Sequence, residues 1–199
     1  MNCQKCGSGF VTRLLCTCLH VNVKHAIETE NLKVLGITGR AGSGKSTFAK
    51  FVKDQAPNAL VLPFAAKVKE IAKSMGWDGE KDEKGRRLLQ LIGTECGREC
   101  VSDDVWVDLW YDTLIKTAIN RWPLVVIADD VRFDNEAAAI KALGGSVIKL
   151  TGRNNGLGTE HKSEQSISND LVDVRIDNSD GIQQLRQEAA KYGNFTRRV

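Results

Sequence analysis

A short apolar run, Lys33-Val34-Leu35-Gly36-Ile37-Thr38, leads without a break into Gly39-Arg40-Ala41-Gly42-Ser43-Gly44-Lys45-Ser46, and apolar residues at helical spacing (Phe48, Phe51, Val52) follow at once. A strand, a glycine loop and a helix in direct succession constrain this chain more than any other feature. The eight loop residues fit G-x-x-x-x-G-K-[ST], in the flanking context that gives that pattern meaning. Glycines let the backbone curl around an anion and turn its N–H groups inward. The helix behind them adds its positive end. Lys45 is spaced to reach the β- and γ-phosphates of a nucleoside triphosphate, and the Ser46 hydroxyl to ligate Mg²⁺. Gly39, Ala41, Gly42, Ser43, Gly44, Lys45, Ser46 and Thr47 are therefore the candidate contacts to ATP. A dinucleotide oxidoreductase would need G-x-G-x-x-G and an acid after the second strand, so the loop argues against one.

Beyond the first helix, which should end before Pro57, Ala59–Leu62 reads as a strand and Phe64 opens a helix with Val68, Ile71 and Met75 on one face. Gly76–Gly85 is polar and reads as a loop. Helices are predicted from about Lys84 through Ile92 and from Asp104 to Asn120. Leu124-Val125-Val126-Ile127-Ala128 is a continuous apolar run, the pattern of a parallel strand covered on both faces. A helix over Asn135–Leu143, a strand over Ser146–Leu150, a polar connection from Gly152 to Asn169, a strand over Val172–Ile176 and a helix over Gly181–Tyr192 complete the chain. The alternation predicts a three-layer α/β fold with a mostly parallel central sheet, whose ligands lie beyond the C-terminal strand ends.

The strand Leu124–Ala128 ends in Asp129-Asp130, and a carboxylate there is placed to share Mg²⁺ with Ser46; the sequence leaves open which aspartate does so. Arg132 follows, and its planar fork suits a transferring phosphoryl group or an acceptor phosphate. Its plain alternative is a loop arginine paired with Asp134 or Glu136. Asn135 and Glu136 are as well suited to ordering the turn as to touching a ligand.

The 199 residues hold 28 Lys and Arg against 25 Asp and Glu, a net charge of +3. That excess is too small to argue for nucleic-acid binding. No apolar run reaches membrane-spanning length and no secretion signal opens the chain, so a cytoplasmic location is expected. Cys3, Cys6, Cys16 and Cys18 crowd the first twenty residues, and residues 1–31 read as a cysteine-rich extension ahead of a nucleotide-binding domain over 32–199. Cys3 and Cys6 have C-x-x-C spacing, and four thiolates would close a structural Zn²⁺ site. The second pair is only C-x-C, so His20 is a substitute ligand. Cys96 and Cys100 read as small helix residues near packing surfaces.

Four blocks together resemble the bacteriophage deoxynucleoside monophosphate kinases, a branch of the P-loop kinase fold: Gly44-Lys45-Ser46; Phe64-Ala65 with Lys69; Arg86–Glu95 with Arg98 and Trp106; and Asp130-Val131-Arg132-Phe133-Asp134-Asn135-Glu136. His161-Lys162-Ser163-Glu164 and Val172–Asn178 agree in order and character. The resemblance runs from about Lys33 to Tyr192. It implies transfer of the γ-phosphoryl of ATP to a deoxynucleoside 5′-monophosphate, in host-cell cytoplasm for a phage protein. It further implies that Phe64, Lys69, Arg87, Gln90, Thr94, Arg98 and Arg132 face the monophosphate. Lys45, Asp130, Arg132 and Arg87 would act in catalysis, and Arg153 would lie near the cover over ATP. Ser46 stands where the family often has aspartate, which moves the sequence a little toward dephospho-coenzyme A kinases. A packaging ATPase is a further alternative, disfavoured because no additional large mechanical domain is present. Small nucleotides are the implied partners, and exposed edges of Trp77, Trp106 or Trp110 are candidates for a homodimer interface, with core burial expected for at least one of them.

Overall fold

The computed structural model describes residues 32–56, 58–120, 125–152 and 167–193, with residues 118–120 described by backbone alone. Five strands, β1 (Lys33–Thr38), β2 (Ala59–Val61), β3 (Val125–Ala128), β4 (Ser146–Thr151) and β5 (Val174–Asp177), form one sheet in the order β2-β3-β1-β4-β5. Every pairing between them is parallel. Six α-helices accompany the described strands: α1 (Lys45–Gln55), α2 (Ala66–Ser74), α3 (Glu83–Gln90), α4 (Val105–Asn120), α5 (Asp134–Ala142) and α6 (Ile182–Gly193).

Strand residues point alternately to the two faces, and the apolar pattern fills both. Leu35, Ile37, Val125, Ile127, Ile148 and Leu150 pack with Phe48, Phe51 and Val52 of α1 and with Leu185 and Ala189 of α6. Val34, Val126, Ala128 and Val147 pack on the other face with Val107, Trp110 and Leu114 of α4 and Ala137 and Ile140 of α5. The expected three-layer α/β fold is what forms. Since α1 and α5 leave β1 and β3 toward opposite faces, a crevice opens between the C-terminal ends of those two strands. Among the described residues, no helix is long and apolar enough to cross a membrane.

Several expectations shift in detail. The helix predicted from Lys84 starts at Glu83, capped by the Asp82 carboxylate accepting from Gly85 N at 2.7 Å, and runs on through a wide π-helical stretch, Leu91–Glu99. The Trp106 ring packs closely against this stretch. Its Nε1 donates to Gly93 O at 2.7 Å, and a Cβ on Gly97 would sit 2.4 Å from the ring. Gly97→Ala is therefore expected to cost about 1–3 kcal/mol through overpacking, read as a lower Tm together with a shift in tryptophan fluorescence. Met75 lies just past α2 and is exposed rather than packed. The last strand starts at Val174, because Asn169–Leu171 forms a 3₁₀ turn and Asp173 N donates to Val147 O at 2.9 Å. Trp106 and Trp110 are buried, with Trp110 Nε1 donating to Leu62 O at 2.7 Å, so neither offers an edge to a second subunit. Cys96 and Cys100 are exposed.

Candidate active site

The glycine loop leaves β1 in a conformation that other residues resist. Gly39, Gly42 and Gly44 have φ of 143°, 79° and 99°. A Cβ on Gly39 would lie 2.5 Å from Leu150 O and 2.7 Å from Ser43 Oγ. Helix α1 begins with no capping side chain and no acid in its first turn, which leaves its positive end for an anion. Lys45 Nζ reaches back over the loop and donates to Gly39 O at 2.7 Å and Arg40 O at 2.8 Å. Ser46 Oγ donates to Asp129 Oδ2 at 2.8 Å, so residues 83 apart in sequence meet at the ends of β1 and β3. Ala41 lies in the same loop and Thr47 in the first turn of α1.

The two aspartates after β3 do different things. Asp129 stands beside Ser46, whereas Asp130 accepts Phe64 N at 2.8 Å on Oδ1 and Ala65 N at 3.1 Å on Oδ2. Burial pushes the Asp130 carboxyl above its ordinary range and Asp129 adds to this, against the two N–H donors and the charge of Lys69. Asp130 thereby fastens the β2–α2 connection to the strand-end turn. The Phe64 ring is buried and stacks on Trp110 with centroids 4.9 Å apart, a core position rather than a ligand-facing one. A hard divalent cation suits the Ser46 and Asp129 oxygens, since Mg²⁺ takes few protein ligands and fills its shell with phosphate and water. No group of three or more His, Cys, Asp or Glu side chains among the described residues is arranged to hold a metal alone.

Arg132 sits on a turn that Glu136 organises. Glu136 Oε2 accepts Arg132 N at 2.8 Å and Phe133 N at 3.2 Å, while Oε1 accepts Arg98 Nη2 at 2.6 Å. Arg98 also donates to Asp103 O at 2.5 Å and to Asn135 Oδ1 at 3.3 Å, and lies 3.8 Å from the centre of the Phe133 ring. Its guanidinium, expected at the monophosphate, is thus buried and spent on protein groups. Burial and the nearby Asp130 charge push Glu136 up to about 7, opposed by Arg132 N–H, Arg98 and Phe133 N–H. Asp134, the other carboxylate near Arg132, accepts Ser168 N at 2.8 Å and also the Ser168 hydroxyl.

The remaining candidates cluster on a small unit formed by α2, α3 and the π-helical stretch around Val68, Ala72, Ile92 and Trp106. Arg87 is exposed and pairs with Glu95 at 2.9 Å. Lys69 and Gln90 are half-buried and Thr94 is buried. Arg153, His161, His20 and the cysteines at 3, 6, 16 and 18 lie outside the described residues.

A family profile described as deoxynucleotide monophosphate kinase matches residues 65–189, more than half of the chain. The chain belongs to the deoxynucleotide monophosphate kinase family. The match begins after the glycine loop, so loop and family are separate observations that agree on a nucleotide kinase. No curated protein matches the sequence significantly. Among solved structures, a tunicamycin resistance protein from Deinococcus radiodurans is 14% identical with a TM-score of 0.50, covering 83% of this chain and 97% of its own. A proposed kinase from Chloroflexus aurantiacus is 12% identical with a TM-score of 0.46, covering 82% of this chain and 97% of its own. The first likeness concerns the fold alone, and the second adds nothing to it.

One residue of this kinase was not singled out from sequence. Asn178, just past β5, is buried, and its Nδ2 donates to Ser43 O at 2.9 Å inside the phosphate loop. A polar residue past the end of a parallel strand was the available signal. It became informative only once β5 was known to lie beside β4, next to the loop.

Proposed function

We propose that the enzyme transfers the γ-phosphoryl group of ATP to a deoxynucleoside 5′-monophosphate, yielding ADP and the deoxynucleoside diphosphate. The observation that carries this reading is the meeting of Lys45, Ser46 and Asp129 at the crevice, in a chain of this family. Both substrates are anionic, so the protein has to offset their repulsion and hold the acceptor oxygen in line with the γ-phosphorus. In this reading the loop N–H groups and α1 hold the triphosphate, and Lys45 exchanges its two loop carbonyls for β- and γ-phosphate oxygens. Ser46 and Asp129 would hold Mg²⁺, which supplies charge neutralisation on those oxygens. Arg132, held by the Glu136 turn, contacts the moving phosphoryl group. Arg87, Lys69, Gln90 and Thr94 belong to the acceptor side, and Asp130 aligns the two sides through the Phe64–Ala65 backbone. Such chemistry on free nucleotides fits a cytoplasmic setting.

The test presents ATP and Mg²⁺ with a panel of ribo- and deoxynucleoside monophosphates while both products are followed. ADP and nucleoside diphosphate should form 1:1. ADP release independent of every nucleotide acceptor, or saturation by dephospho-coenzyme A alone, would overturn the proposal. Arg132→Lys should lower kcat by about 10-fold or more, because lysine keeps the charge and loses the planar fork. Unchanged kinetics would place Arg132 outside the site.

For the N-terminal cysteines we propose one structural Zn²⁺ per chain. Elemental analysis of protein purified without added metal should find it. Less than about 0.2 zinc per chain with four titratable thiols would remove the idea.

A further inference from the structure

We propose that Asn178 is a positioning residue for the phosphate loop, its side-chain amide locking the Ser43–Gly44 peptide in the orientation that turns the Gly44 N–H toward bound phosphate. This inference rests on the kinase reading given above. Gly44 has φ of 99° and stands at the start of α1. A glycine there leaves the preceding peptide plane little to stop it rotating. In a trans peptide C=O and N–H point to opposite sides. A rotated Ser43–Gly44 peptide would therefore present a carbonyl oxygen where a phosphate needs a donor.

Asn178 opposes that rotation from the far side of the loop. Its Nδ2 donates to Ser43 O at 2.9 Å, holding the oxygen on the β5 side and leaving the N–H on the other. Because Ser43 O is only an acceptor, the amide edge facing it has to be the nitrogen. The donor is itself anchored, since Asn178 N donates to Thr151 O at 3.0 Å where β4 and β5 end together. The fit is tight: a Cβ on Gly44 would lie 2.7 Å from Asn178 Nδ2. Asn178 is only 1% exposed, and its Oδ1 has no hydrogen-bond partner among the described residues. Leaving a buried amide oxygen unpaired is unfavourable for stability alone. The residue's return lies in the carbonyl it holds.

The experiment compares wild type with Asn178→Asp, which sets acceptor against acceptor at nearly constant shape, and Asn178→Leu, which removes the donor at similar volume. Calorimetry with MgADP should show affinity weakened about 10-fold or more in both variants. The KM for the monophosphate should stay within about twofold of wild type, because that side of the site does not touch Ser43. A merely structural asparagine would lower Tm and leave MgADP affinity unchanged below the transition, and that result would overturn the proposal. If both variants fail to fold, the wild-type protein decides. The ¹⁵N-labelled Asn178 side-chain amide should shift on addition of MgADP, and an unmoved resonance would count against the lock. Wild type that binds no adenine nucleotide would overturn the kinase reading and this inference together. Wild type that binds, with unaffected variants, overturns this inference alone.

Discussion

Lys45→Ala is expected to lower turnover by at least about 10²–10³-fold while the protein stays folded. Two features support this separation of activity from stability. The ammonium donates to Gly39 O and Arg40 O. Arg40 is exposed and Gly39 partly so, which lets water replace a lost donor at little cost. The core contacts of α1 come from Phe48, Phe51 and Val52, so truncating Lys45 at the start of the helix removes no member of the apolar core. In the proposed reading, what disappears is the ammonium that neutralises charge on the transferring group. A coupled ADP assay beside a thermal melt checks both halves. A rate within threefold of wild type would put phosphoryl transfer elsewhere in the molecule. Ser46→Ala should be milder, because in the proposed reading Asp129, the hydrogen-bond partner of Ser46, would still hold the cation.

These expectations divide according to how local their physics is. The strand, loop and helix from Lys33 to Gln55 were legible because each signal acts within a few residues: an apolar run, closely spaced glycines, and a lysine directly after the last of them. The sheet was legible for the same reason, since a strand buried on both faces, such as Val125–Ala128, cannot be polar anywhere. The division of labour between Asp129 and Asp130 was not legible. It depends on the β2–α2 connection delivering two N–H groups beside the β3 turn, a meeting of segments 65 and 66 residues apart. Arg98 was misplaced on the same ground. The family resemblance puts Arg98 on the monophosphate side, and only the fold brings Glu136 to face it across 38 residues. The π-helical stretch escaped because nothing in its own residue pattern marks it, and the packing of the Trp106 ring on Gly97 joins separate elements.

Arg98→Met should be the most destabilising single change in the site, costing about 3–5 kcal/mol and about 10 °C in Tm. Side-chain exposures of 6% and 5% for Arg98 and Glu136 mean that solvent does little to screen the pair. Removing one member leaves the other charge buried. The loss should also depend on pH in a defined direction. Glu136 already stands at about 7 with Arg98 in place, and removing Arg98 removes one of the groups that oppose this rise. A carboxyl raised in the folded state contributes stability below its unfolded value, near 4.5, and loses it as pH climbs through the folded value. The deficit of Arg98→Met relative to wild type should therefore be smallest near pH 5 and largest above about pH 8. Replacing both members, Arg98→Met with Glu136→Leu, should recover most of the lost Tm, because no unpaired charge remains. Turnover should not recover with it. Oε2 of Glu136 is the acceptor for Arg132 N and Phe133 N, so without it the Arg132 turn loses two of the hydrogen bonds that hold it. A displacement of about 1 Å in such a group costs on the order of 10²-fold in rate. A double variant that regained both Tm and turnover would show that the Arg132 turn holds its position without Glu136.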